Sequence, residues 1–156
     1  MFYKVIPFML ILLVSCGKNP FMKDHFHNPE NRDPRTNTTT NAVFQPYIED
    51  FEYDYDQYIG DIPMNFADLE GNRVGVCYTW SSGHAEIEID RTFWADATEL
   101  ERKAVVYHEL GHCELGRDHF DETKEDGCAV SIMNWILVRD KCMDIHLDDY
   151  IEELFK

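Results

Sequence analysis

The sequence predicts one small α+β domain, and three observations carry that expectation. Ile62 to Leu69 and Arg73 to Trp80 are strand-like runs separated by Glu70-Gly71-Asn72, a turn signal. Ala85-Glu86-Ile87-Glu88-Ile89-Asp90 alternates apolar with acidic residues, the period of a strand with one wet face. Thr98-Glu99-Leu100-Glu101 has the form of a capping box and opens a helix. With 156 residues there is room for one core, and 44% hydrophobic residues are enough to fill it.

The first 15 residues read as a signal peptide. Lys4 precedes an apolar run from Val5 to Val14 that stops at Ser15-Cys16-Gly17. The run is about half of the ~20 residues a spanning helix needs. Leu13-Val14-Ser15-Cys16 resembles the bacterial lipobox, in which cleavage precedes the cysteine and the cysteine is acylated. That resemblance implies a mature chain beginning at Cys16 and lipid-anchored in the cell envelope, outside the cytoplasm, on the periplasmic face or at the outer membrane. An ordinary secretory signal is the alternative. Residues 16–45 are rich in Asn, Asp and Thr, are punctuated by Pro20, Pro29 and Pro34, and show no apolar period, as a tether does. His25 and His27 read there as solvated side chains. Residues 46–156 form the domain proper.

Within the domain, Tyr47, Ile48, Phe51, Tyr55 and Tyr58 fall at helical spacing behind Pro46, which suits a first helical turn. The three strands come next, in a mixed or mostly antiparallel sheet. The helix opened at Thr98 continues through Tyr107 and His108 and stops near Gly116. A last helix is expected from Leu147 to Phe155. Thirty Asp and Glu against fourteen Lys and Arg give a net charge of −16, a field that repels phosphates and argues against nucleic acid as partner.

The chemistry concentrates in His108-Glu109-Leu110-Gly111-His112. Histidines four apart on a helix stand one turn above each other, so both imidazoles can face one metal ion. Glu109 then projects beside the ion, where it can take a proton from an activated water and return it to a leaving amine. A third ligand is required, and Gly116-Arg117-Asp118-His119 offers one after a chain reversal.

These residues resemble the metzincins, zinc peptidases with an extended H-E-x-x-H-x-x-G-x-x-H motif and a later Met-turn. His108, Glu109 and His112 match the first half, Gly116 to His119 resembles the second, and Ser131-Ile132-Met133 resembles the Met-turn. The resemblance implies Zn(2+) held by His108, His112 and His119, with Met133 as an apolar floor. It also implies that Ala85 to Asp90 is the edge strand that binds substrate by strand addition. One extra residue lies between His112 and Gly116, so Asp118 stands where the third ligand usually falls and is a rival to His119. Trp135 stands where some members carry a tyrosine, leaving oxyanion stabilisation mostly to the metal. His84 and His146 read as surface or supporting residues.

With Cys16 lipidated, Cys77, Cys113, Cys128 and Cys142 remain, an even number open to three connectivities. Pairing Cys113 with Cys128, and Cys77 with Cys142, would tie the metal-binding helix to its Met-turn floor and is the expectation. The function so implied is a monomeric zinc endopeptidase of peptide or protein substrates, anchored by lipid, with Glu109 as general base and acid. A zinc-stabilised binding lipoprotein without turnover, or a zinc hydrolase of cell-wall peptide cross-links, would share the same metal site.

Overall fold

The computed structural model describes residues 40–156 and a two-residue strand, β1 (Phe26–His27). The signal segment, Cys16, His25 and most of the tether lie outside the described residues, and of His27 only the backbone is described. Among the described residues no helix is long and apolar enough to cross a membrane.

A 3-10 turn, Ala42–Phe44, capped by Asn41, leads into α1 (Gln45–Tyr55), with Pro46 in its first turn. Three strands follow, β2 (Met64–Ala67), β3 (Gly75–Thr79) and β4 (Ala85–Asp90). A short helix, α2 (Arg91–Asp96), is capped by Asp90. Then come α3 (Glu99–Cys113) and α4 (Asp140–Leu154). The fold is the small α+β domain expected, with a mixed sheet ordered β1-β3-β4-β2.

Two expectations for the sheet are corrected. Ala85 to Asp90 is not an edge strand: β4 pairs antiparallel with β3 and parallel with β2. The parallel partner was illegible because Met64 to Ala67 joins β4 over a long connection, whereas β3 joins it by a hairpin. Nor is one face of β4 wet. Ile87 and Ile89 face the core as the alternation requires, but Glu86 and Glu88, on the opposite face, are only 3% and 4% exposed.

Helix α3 lies at the centre. One side packs on β3 and β4; the other sides receive α1 and α4. Phe51 meets Tyr107 and Phe155 edge-on at 5.2 and 5.0 Å, which seals α1, α3 and the end of α4 together. Trp94 of α2 packs edge-on against Phe44 and Phe66 at the rim of the same core. The terminal helix begins seven residues earlier than Leu147. Its first half has no side-chain cap and is bent at His146, whose backbone is non-helical, so the local signals there are weak.

The disulfides also correct the expected pairing. Cys77 joins Cys113, and Cys128 joins Cys142, with Cα atoms 5.6 and 5.5 Å apart. Cys113 is on the face of α3 that lies against β3, so its partner comes from the sheet. Cys128 is in the loop that packs under α4, so its partner comes from that helix. The bonds therefore do not join helix to floor; each ties one half of the site to a separate support.

Candidate metal centre

The site is built from one helix and the loop that leaves it. The N-terminus of α3 is set by the predicted box: Thr98 Oγ1 accepts from Glu101 N at 3.3 Å, and Thr98 N donates to Glu101 Oε2 at 3.2 Å. Glu101 also pairs with Arg139, and Thr98 with Asp140, which fastens the start of α3 to the start of α4. Two turns on, His108 and His112 project from one face, both buried.

The extra residue after His112 is absorbed at the helix end. Leu110 O accepts from Glu114 N at 2.8 Å and also from Leu115 N at 3.4 Å, a wider turn than an α-helix makes. Gly116 then takes φ of +63°, the left-handed conformation that reverses the chain, and Arg117 N donates to Gly111 O at 2.9 Å. The reversal returns His119 to the helix.

The result is a close triad. His112 Nε2 is 3.1 Å from His108 Nε2 and 3.1 Å from His119 Nε2, and His119 Nε2 is 3.2 Å from His108 Nε2. These three could hold a metal ion. Asp118, the rival ligand, is exposed and stands outside the group. The contact between His108 and His112 is not a hydrogen bond between imidazoles. His108 Nδ1 lies 2.8 Å from Ile132 O, and His112 Nδ1 lies 2.6 Å from Arg117 O. A carbonyl can only accept, so each Nδ1 carries the proton and each Nε2 a lone pair. Lone pairs converging at this separation repel unless a cation sits between them. Tetrahedral bonds of about 2.0–2.1 Å would place ligand nitrogens roughly 3.3 Å apart, close to what is seen. Burial lowers the pKa of His119 against the upward pull of Asp121 and Asp118, which favours the neutral ring that ligation requires.

Glu109 is buried against β3. A Cβ at Gly75 would come within 2.5 Å of its Oε1, so only glycine lets the carboxyl lie flat on the strand. Its Oε2 has no hydrogen-bond partner among the described residues. Burial pushes the pKa up to about 8, offset in part by a hydrogen bond from the Cys77 backbone. A carboxyl in this state can both accept and give a proton near neutral pH.

Met133 lies below. Gly111, between the two helix histidines, faces its sulfur, and a Cβ there would collide with Met133 Sδ. Met133 is held by Ser131, whose hydroxyl accepts from Met133 N at 3.0 Å and bonds Glu153 of α4. Arg117 also reaches α4, donating to Glu153 O at 3.0 Å and Leu154 O at 2.7 Å. A cavity of about 280 Å³ in the loop between α3 and α4 is lined in part by Asp121, Asn134, Trp135, Ile136, Leu137 and Arg139.

The remaining candidates lie elsewhere. His84 neighbours Trp80, with ring centroids 5.0 Å apart, on the sheet. His146 bridges Asp126 at 2.6 Å and Asp149 at 3.2 Å. Asp126, Cys128 and His146 sit close enough to resemble a second metal group, but Cys128 is spent in a disulfide. Three contributors were missed from sequence: the carbonyls of Arg117 and Ile132, which no side-chain pattern reveals, and Gly75. A glycine inside a strand pattern is a signal of close backbone approach, so Gly75 was legible in principle.

A family model described as "Putative phage metallopeptidase" matches residues 65–133, which is 69 of the 156 residues. The matched stretch begins in β2 and ends on Met133, so it contains all three histidines, Glu109 and Met133. No curated protein and no solved structure matches the chain. Site geometry and family likeness together support a metal-dependent peptidase, with His108, His112 and His119 as the group that could bind the metal.

Proposed function

We propose that the chain is a zinc-dependent endopeptidase in which His108, His112 and His119 hold Zn(2+) and Glu109 moves the proton. The observation that carries this reading is the convergence of three imidazole Nε2 atoms, two with their Nδ1 protons committed to carbonyls, beside a buried carboxyl. Nitrogen ligands in a tetrahedral arrangement favour zinc over the oxygen-loving Mg and Ca. The ion, when bound, supplies Lewis acidity that acidifies water and polarises a carbonyl.

The chain's own residues do the rest. Glu109 accepts a proton from the attacking water and delivers it to the leaving nitrogen. Its place against Gly75 and the Cys77 N–H fixes the carboxyl while leaving Oε2 available. Ile132 O and Arg117 O hold two imidazoles in the ligating tautomer. Met133 excludes water from beneath them. We further propose a monomer that acts on peptides or proteins, carries no nucleic acid, and is held in the cell envelope through lipid on Cys16.

The test uses the zinc-loaded protein and its Glu109→Gln counterpart on a diverse peptide mixture, with products sequenced by mass spectrometry. The parent should cleave, and the variant should keep zinc but lose about 10²–10⁴-fold in kcat. Zinc bound in both with cleavage by neither would instead favour a cell-wall substrate or a module without turnover.

A further inference from the structure

The loop that supplies His119 and Met133 is fastened to α4 by a cluster that the peptidase reading does not use. Lys124 N donates to Cys128 O at 2.7 Å, and Gly127 N donates to Lys124 O at 3.0 Å. With Gly127 at φ +86°, Lys124 to Cys128 make a tight turn. Asp126 Oδ1 accepts from Cys128 N at 3.0 Å, which sets the carboxyl beside the cysteine. Facing this turn on α4 are Cys142, bonded to Cys128, and His146, four residues further along. His146 Nε2 lies 2.6 Å from Asp126 Oδ2, and its Nδ1 lies 3.2 Å from Asp149 Oδ2.

Asp126, Cys128 and His146 each offer one ligand atom, and these atoms all lie within 4.8 Å of one another. Tetrahedral bonds of about 2.0–2.3 Å place ligand atoms roughly 3.3–3.8 Å apart, so small shifts suffice to close the group on an ion. Cys142 Sγ, the disulfide partner of Cys128 Sγ, makes a fourth donor. Asp149 on Nδ1 gives His146 the carboxylate partner that orients a metal-binding imidazole and directs Nε2 at the ion. While the disulfide is closed, neither sulfur carries the charge that a metal ligand needs. An ionised carboxylate can only accept, so His146 then holds Asp126 through an N–H where the ion would otherwise sit. Disulfide and ion are therefore alternatives at one place.

We propose that Asp126, Cys128, Cys142 and His146 bind a zinc ion when the Cys128–Cys142 disulfide is reduced, at a site separate from the His108, His112 and His119 group. A dithiol opens the bond: its two hydrogens and two electrons pass to the cysteine sulfurs, and it closes to its own disulfide. Binding then releases both thiol protons and the Nε2 proton of His146 as the Zn–S and Zn–N bonds form, with Asp126 adding an oxygen. Two thiolates and an imidazole select zinc over magnesium and calcium. The loop is thus stapled to α4 by a covalent bond under oxidising conditions and by an ion under reducing ones. Its hold on His119 and Met133 survives the change of compartment.

The test uses the full chain, with cobalt(II) as a coloured substitute for zinc. Tris(2-carboxyethyl)phosphine opens the disulfide and takes oxygen from water to become its oxide. The reduced chain should bind one more cobalt ion than the untreated chain and show a thiolate-to-cobalt charge-transfer band. The group of His108, His112 and His119 contains no sulfur and gives no such band. Cys128→Ser with Cys142→Ser should abolish the band although Cys77 and Cys113 remain. His146→Ala, which leaves all the cysteines in place, should weaken cobalt binding there about 100-fold. A second measurement uses the His119→Ala chain, where zinc should raise the Tm of the reduced form by at least about 5 °C and that of the oxidised form far less. No band in the reduced parent, a band undiminished by His146→Ala, or an equal effect of zinc on the two forms would overturn the site. None of these readouts needs turnover, so failure here leaves the peptidase reading standing.

Discussion

The candidate metal centre has two halves that are held in different ways. The α3 half, with His108, Glu109 and His112, is specified locally: a reciprocal cap starts the helix and i, i+4 spacing aligns the imidazoles. The loop half, residues 114–139, has no helix or strand, yet supplies His119, two orienting carbonyls and Met133. Its order is borrowed from α4 through Cys128–Cys142, Arg117 to Glu153 and Leu154, Ser131 to Glu153, Tyr150 OH to Ala129 O, and Lys124 to Asp149. A helix can carry its own geometry; a loop needs a scaffold that is distant in sequence.

The sharpest way to break this comparison is to remove the histidine contributed by the loop. His119→Ala should cost more than about 100-fold in zinc affinity, whereas Asp118→Ala, an exposed residue outside the triad, should cost under about tenfold. Competition with a chelator measures both, and the reverse order would make aspartate the ligand.

A pH titration probes the helix half. With metal stripped, the buried Glu109 carboxyl has a folded pKa near 8, above its ordinary 4.5. The folded state then holds one proton more than the unfolded state between those values, so stability is fully present below about 4.5 and falls as pH rises through about 8. Denaturant midpoints from pH 4 to 9 should show that slope, and Glu109→Gln should flatten it.

The loop half depends on its staple. Cys128→Ser with Cys142→Ser should lower stability by about 3 kcal/mol, the figure for a short closed loop, and weaken zinc binding as the floor loosens. Loss of stability with zinc affinity intact would show that α4's hydrogen bonds suffice. The smallest effect is expected at the helix cap: Thr98→Ala should cost about 1 kcal/mol in thermal unfolding without changing zinc affinity.

What could be read from the sequence follows the same division. The α3 cap, the H-E-x-x-H face and the existence of strand β4 rest on local patterns and match the structure. The pairing of Cys77 with Cys113 was not legible, because it depends on which face of α3 meets the sheet. The interior position of β4 depends on β2, which joins it from across the sheet. The burial of Glu86 and Glu88 contradicts a pattern that reads as solvent-facing, because alternation reports that two faces differ and not what covers each. The first half of α4 was missed because Arg139 gives no side-chain cap and the bend at His146 interrupts the period.

Arg117 joins the two ends of this arrangement in one residue. Its carbonyl holds His112 Nδ1, and its guanidinium grips the carbonyls that end α4. In mechanical terms it is a lever. A displacement of the last helical turn is passed through this one residue to the imidazole of His112.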